Sequence, residues 1–176
     1  MKKLLMATAA TALMTGSAIA GGHGKEVKIG VILGFTGPLE SITPAMGAGA
    51  EMAMAEVTAS GMLLDAAKVI SVRADSTCID AGAATSAAER LVTADKVDAI
   101  MGADCSGVTG AILANVARAN GVVMISPSAT SPGLSTAEDD GLFFRTAPSD
   151  ARQGVIITNI LQDRGVESVA LTYTNN

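Results

Sequence analysis

The sequence predicts an α/β fold, a parallel β-sheet flanked by helices, and three observations lead to it. Short runs rich in Val and Ile are apolar throughout rather than alternating, as strands buried on both faces are. These runs alternate with longer Ala-rich segments that carry helix start and stop signals. Aromatic residues are only 2% of the chain although apolar residues are 49%, so the core must rely on close packing of small aliphatic side chains between helix and sheet.

Each element has its own warrant. "EVKIGVIL" (26–33) is an apolar, β-branched run and opens the sheet, followed by the loop "GFTGPLESITP". "AMGAGAEMAMAEVTAS" (45–60) reads as a helix closed by Gly61. "KVISVRA" (68–74) is the second strand, and Asp80 is placed to cap a helix over "AGAATSAAERLVTAD". "VDAIMGA" (97–103) is the third strand, and "SGVTGAILANVARAN" (106–120) a helix ended by Gly121. "VVMIS" (122–126) is the fourth strand. "LFFRTA" reads as a short strand leading into Pro148, Ser149 as the cap of the helix "SDARQGVIITNILQDRG", and "VESVALTYT" (166–174) as a last strand.

The amino terminus has a different character. Met1-Lys2-Lys3 is followed by "LLMATAATALMTGSAIA", a short apolar stretch leaving through Ala18-Ile19-Ala20. A basic start, a short apolar centre and an A-x-A exit are the marks of a cleavable secretory signal peptide over residues 1–20, and hence of export. The stretch is diluted with Ala, Thr, Gly and Ser, whereas a membrane span takes about 20 strongly apolar residues. No later segment is long and apolar enough to span, so a chain that does not cross the membrane is expected. Without Lys2 and Lys3 the 12 basic residues fall to 10 against 17 acidic ones, a net charge of −7. Nucleic acid, which needs a basic face, is excluded as a partner.

Catalytic chemistry finds little support. No G-x-S-x-G, phosphate-binding loop or complete G-x-G-x-x-G occurs, and "GAGAEM" (47–52) lacks the third glycine. His23 is the one histidine and lies beside the expected cleavage point, which leaves no base for a nucleophile. No enzyme activity and no cofactor is expected. If Gly21 is the mature terminus, Gly21-Gly22-His23 could hold Cu(II) or Ni(II) through four nitrogens, an incidental property rather than a built metal site. Cys78 and Cys105 are the two cysteines, both in loops after strands. In an exported chain they read as one disulfide, with two buried thiols as the alternative.

Ligands of parallel α/β sheets bind beyond the carboxyl ends of the strands. Three loops there are unusual: "GFTGPLES", "GADCSGVT" and "SPSATSPGLS". The last holds four serines and Thr130, and reads as a cradle in which hydroxyls and free N–H groups replace water around a small polar solute. Ser106, at the start of a helix, is placed either as an ordinary cap or as an anion-binding group.

The order of "VKIGVILGFTGPL", "ADSTCIDAGAATSAAERLV", "VDAIMGADCSGVTGAI", "VVMISPSATSPGLS" and "FFRTAPSDARQG" resembles the periplasmic substrate-binding proteins of branched-chain amino acid ABC importers. The resemblance implies a two-lobed fold closing on its ligand like a hinged trap, periplasmic location, permease subunits of an ABC transporter as partners, and an amino acid or analogue as ligand. It implies that Ser106 binds the ligand carboxylate, that the Ser128-Ala129-Thr130 turn receives the ammonium through the Ser128 carbonyl, that Thr130 contacts both ends of the zwitterion, and that Ile42 stands where relatives offer an aromatic to the ligand side chain. It also implies that residues 21–145 form most of lobe one and 146–176 only the start of a truncated lobe two. A sensory module of the same fold is the alternative function.

Overall fold

A computed structural model describes residues 26–172; the expected signal peptide and His23 lie outside the described residues. Five strands form one parallel sheet: β1 (Glu26–Leu33), β2 (Lys68–Asp75), β3 (Ala99–Gly102), β4 (Val123–Ser126) and β5 (Phe143–Arg145), in the order β2-β1-β3-β4-β5. The chain leaves β1 outward to β2, then crosses back over β1 to β3. The crevice where strand order reverses therefore opens between the carboxyl ends of β1 and β3, which is where such sheets bind ligands. Register runs Ile29↔Ala99 and Ile32↔Gly102 between β1 and β3, and Ala99↔Val123 between β3 and β4.

The helices follow the expected alternation. α1 (Thr43–Ser60) starts two residues before the expected point, because Pro44 occupies its first turn and needs no amide partner there. Its end is Gly61 at φ 64°, a left-handed cap. α2 (Ala81–Thr93) is capped by the Asp80 carboxylate, which accepts from the Ala83 N–H at 2.9 Å. The third helical segment, expected as one α-helix, is α3 (Ser106–Ile112), a π-helical turn Leu113–Ala117 and a closing turn α4 (Arg118–Asn120) before left-handed Gly121. α5 (Asp150–Asp163) is capped by Ser149, whose hydroxyl accepts from the Ala151 N–H.

Alternation along each strand sorts residues to two faces. Ile32, Ala74, Ile100, Met124 and Phe143 pack with Ala84, Ala88 and Leu91 of α2 and with Val108 and Ile112 of α3 in one buried cluster. Val27, Ile29, Val69 and Met101, of opposite parity, look onto α1. This second face is covered over β1 and β2 only. Val123, Ile125 and Phe144 remain 40%, 43% and 53% exposed. Helices thus lie on both faces as expected, α2 and α3 on one and α1 on the other, but on the second face the cover stops short of β4 and β5. The link from β4 to β5 holds only a 3-10 turn, Pro132–Ser135, so no helix returns across the sheet there.

Two further expectations change. No strand is assigned at 166–172; these residues are exposed and no neighbouring strand offers them a ladder, and 173–174 lie outside the described residues. α5 has no buried residue, and Val155, Ile156, Ile157 and Ile160 are all between 44% and 50% exposed. The described residues contain no helix long and apolar enough to cross a membrane.

Candidate ligand-binding site

The site grows from the strand ends. After β1, the Gly34 N–H donates to Asp104 Oδ1 at 3.0 Å, and the Thr43 hydroxyl donates to the Gly34 carbonyl at 2.8 Å, folding the 34–42 loop back. After β2, Asp75 accepts from the Thr36 hydroxyl at 2.5 Å and the Thr77 N–H at 2.8 Å. Burial pushes the Asp75 carboxyl up, but these donors and the Thr36 and Phe35 N–H groups outweigh it and hold the carboxyl below its usual value. Thr77 and Cys78 then take left-handed backbone angles, φ 57° and 71°, rare for residues with a Cβ.

That tight turn aims Cys78 at the loop after β3, where it is disulfide-bonded to Cys105, as the cysteine count anticipated. β3 itself ends at Gly102, φ 132°, where a Cβ would lie 2.0 Å from the Ile32 carbonyl oxygen. Only glycine lets β3 approach β1 so closely at the reversal point. Asp104 follows, 3% exposed, and its Oδ1 also accepts from the Ser76 hydroxyl at 3.1 Å. One carboxylate oxygen thus ties together the loops after β1, β2 and β3.

The hydroxyl-rich loop after β4 is organised in large part by its own hydroxyls. Ser126 donates to the Ala103 carbonyl and accepts from the Ala129 N–H; Ser128 donates to the Asp104 carbonyl at 3.0 Å; Ser131 accepts from the Gly133 N–H. Arg145, on β5, holds the carbonyls of Ala129 and Ser131. The sequence suggested that these hydroxyls face a solute, and several of them fold the loop instead. Small hydroxyl side chains satisfy nearby backbone groups wherever a loop has no ladder to do so.

Ser106 is the first residue of α3, and Cys105 occupies the cap position. The Ser106 hydroxyl oxygen accepts from the N–H groups of both Thr130 and Ser131, each at 3.1 Å. A serine hydroxyl has two acceptor sites and one proton. With both acceptor sites engaged, what Ser106 retains is its proton. Thr130 is the converse: its hydroxyl donates to Asp150 Oδ2 at 2.9 Å, and the Asp150 N–H returns a bond to the Thr130 carbonyl at 3.0 Å. What Thr130 retains is acceptor capacity.

Ile42, Ser106, Ser128 and Thr130, from three separate loops, line one cavity of about 630 Å³. Ala129 does not: it is fully buried beneath the turn, because the Ser126 hydroxyl draws its N–H inward. Sequence reasoning missed Asp104 and Asp150, which also line the cavity, and Leu39, Met46 and Ile79, which give it an apolar wall. Ile42 and Ile79, 51% and 64% exposed, stand on that wall. Among the described residues no group of His, Cys, Asp and Glu is arranged to hold a metal ion.

Comparison with known proteins follows the same lines. The periplasmic binding protein family matches residues 26–176. A Leu/Ile/Val-binding protein of Citrobacter freundii is 32% identical over 130 residues, covering 74% of this chain and 34% of the relative. A crystal structure of a branched-chain amino acid transporter substrate-binding protein from Streptococcus pneumoniae, in complex with isoleucine, superposes with a TM-score of 0.71 at 36% identity, over 80% of this chain and 39% of that one. An ABC transporter substrate-binding protein of Desulfitobacterium hafniense in complex with Leu gives a TM-score of 0.68 at 25% identity, over 80% and 40% of the two chains. This chain therefore spans about a third of the length of the curated relatives it matches.

Proposed function

This chain belongs to the periplasmic binding protein family, and from that premise we propose that it forms the first ligand-binding lobe of an extracytoplasmic protein that delivers an amino acid, or a related small polar solute, to an ABC importer. The relatives described above are binding proteins, not enzymes. One observation carries the reading for this chain: Ser106, with a proton to give, and Thr130, with acceptor capacity, line one cavity at the strand reversal. A donor and an acceptor side by side suit a zwitterion, the carboxylate at Ser106 and the ammonium at Thr130 and the Ser128 carbonyl. Ile42 and the neighbouring aliphatic wall would receive the solute's side chain.

Residues 21–145 are proposed as most of lobe one and 146–176 as the start of lobe two. The exposure of α5 supports this division, since none of its residues is buried and Val155, Ile156, Ile157 and Ile160 are about half exposed. Export through a leader at 1–20, periplasmic location and docking on permease subunits complete the proposal. The test is a thermal-shift screen of the purified chain against amino acids, amides and aromatic acids. A ligand at about a hundred times its dissociation constant adds roughly 2.7 kcal/mol. A shift with amino acids is expected; a shift only with acids that lack an ammonium group would overturn the zwitterion assignment.

A further inference from the structure

Asp104 is 3% exposed and lines the cavity, yet its two carboxylate oxygens have unequal surroundings. Oδ1 accepts from the Gly34 N–H and the Ser76 hydroxyl. Oδ2 has Cys105 Sγ at 3.7 Å, but that sulfur belongs to the disulfide with Cys78 and carries no proton to donate. Among the described residues no N–H or O–H group reaches Oδ2. Buried carboxylates are normally paired or fully hydrogen-bonded, because losing water without replacement is costly. The charge of the cavity adds a second observation. Among the described residues its lining holds two carboxylates, Asp104 and Asp150, and no Lys, Arg or His.

We propose that Asp104 is a specificity-determining residue whose free oxygen receives a positively charged donor on the ligand's side chain, so that this site takes α-amino acids with a basic side chain. The inference rests on the zwitterion reading above and adds a second cation to it. Such a ligand carries one negative and two positive groups, against one proton donor at Ser106 and two carboxylates. The methylene stem of a basic side chain suits the wall of Leu39, Ile42, Met46 and Ile79, since long cationic side chains lay their stems on apolar surface and keep the charged tip on a polar partner. Asp104 and Ser106 sit two residues apart on one loop pinned by the disulfide, so both ends of the ligand would meet a single rigid support.

The experiment is a calorimetric or NMR titration of the purified chain with two matched pairs, L-lysine against L-norleucine and L-ornithine against L-norvaline, each pair differing only in the terminal amine. The wild-type chain is expected to bind the basic member of at least one pair ten or more times tighter, the size of one charge-assisted hydrogen bond. Asp104→Asn, which keeps the shape and removes the charge, is expected to abolish that preference while retaining the apolar member. Equal or tighter binding of norleucine and norvaline by the wild-type chain overturns the role of Asp104 and leaves the zwitterion site standing. A preference unchanged in Asp104→Asn also overturns it. Binding of none of the four, with an aromatic acid bound instead, overturns the zwitterion reading and this inference together. If Asp104→Asn does not fold, the wild-type comparison alone decides.

Discussion

Replacing Ser106 with alanine tests two roles of one hydroxyl, and the structure separates their sizes. The oxygen accepts from the Thr130 and Ser131 N–H groups, each at 3.1 Å, and so ties the start of α3 to the turn after β4. Ser106 is half-buried, and each net hydrogen bond lost costs about 0.5–1.5 kcal/mol. Two such losses lower stability by about 1–3 kcal/mol, a fall in Tm of roughly 3–10 °C for a domain of this size. The proton that Ser106 retains makes the second contribution, a bond to the ligand carboxylate. Losing a hydrogen bond to a charged group costs about 1.5–3 kcal/mol, or about 10- to 150-fold in affinity. The assay pairs thermal unfolding of the free protein with calorimetric titration of whichever amino acid the screen identifies. A lowered Tm with unchanged affinity would make Ser106 a structural tie and refute its place in the site. Unchanged Tm would refute the tie instead.

Two further outcomes follow from the same loops. Cys105→Ser opens a 27-residue link and should destabilise the chain by about 3.5 kcal/mol on the chain-entropy estimate; a reductant should shift the urea midpoint of the wild type and leave the variant unmoved, and equal midpoints for the two proteins in the absence of reductant would contradict it. Asp75, held below its usual value by donors that outweigh its burial, contributes stability that is complete above the unfolded-state value of about 4 and is lost as pH falls through its lower folded value. Asp75→Asn should therefore be less stable than wild type at neutral pH, with the gap closing in acid, and a gap independent of pH would show that its hydrogen bonds do not depend on the charge.

The legible part of the fold is the part governed by local rules. Asp80 and Ser149 cap the helices they precede, and Gly61 and Gly121 end theirs in left-handed conformation, because each of these effects needs only a few neighbouring residues. What was not legible depends on partners distant in sequence. "VESVALTYT" has the β-branched content of a strand, but a strand exists only where another lies beside it, and none does at 166–172. "VVMIS" looked buried on both faces by composition, yet Val123 and Ile125 are exposed, as is Phe144 on the strand from "LFFRTA". An apolar strand is suited to a covering helix without supplying one. These residues and the apolar positions of α5 are left exposed, with no helix or strand covering them among residues 26–172.

The site divides along the same boundary. Ser106, Ser128, Thr130 and Ile42 could be named from motifs, and they do line one cavity, because each motif lies in a loop at a strand's carboxyl end and a parallel sheet gathers those ends together. The division of labour between them could not be read, since it depends on which proton goes where. Ser106 becomes a donor only because Thr130 and Ser131 occupy its acceptor sites, and Thr130 becomes an acceptor only because Asp150 takes its proton. Asp104 is the sharper case. In "GADCSG" it reads as one more polar loop residue beside a cysteine, and its burial between three strand ends follows from Gly102 admitting β3 close to β1. The glycine, which the sequence shows only as part of the third strand, is thus what lets a neighbouring carboxylate become buried. A carboxylate so placed, with one oxygen that no N–H or O–H group reaches among the described residues, is what the proposed basic side chain of the ligand would satisfy.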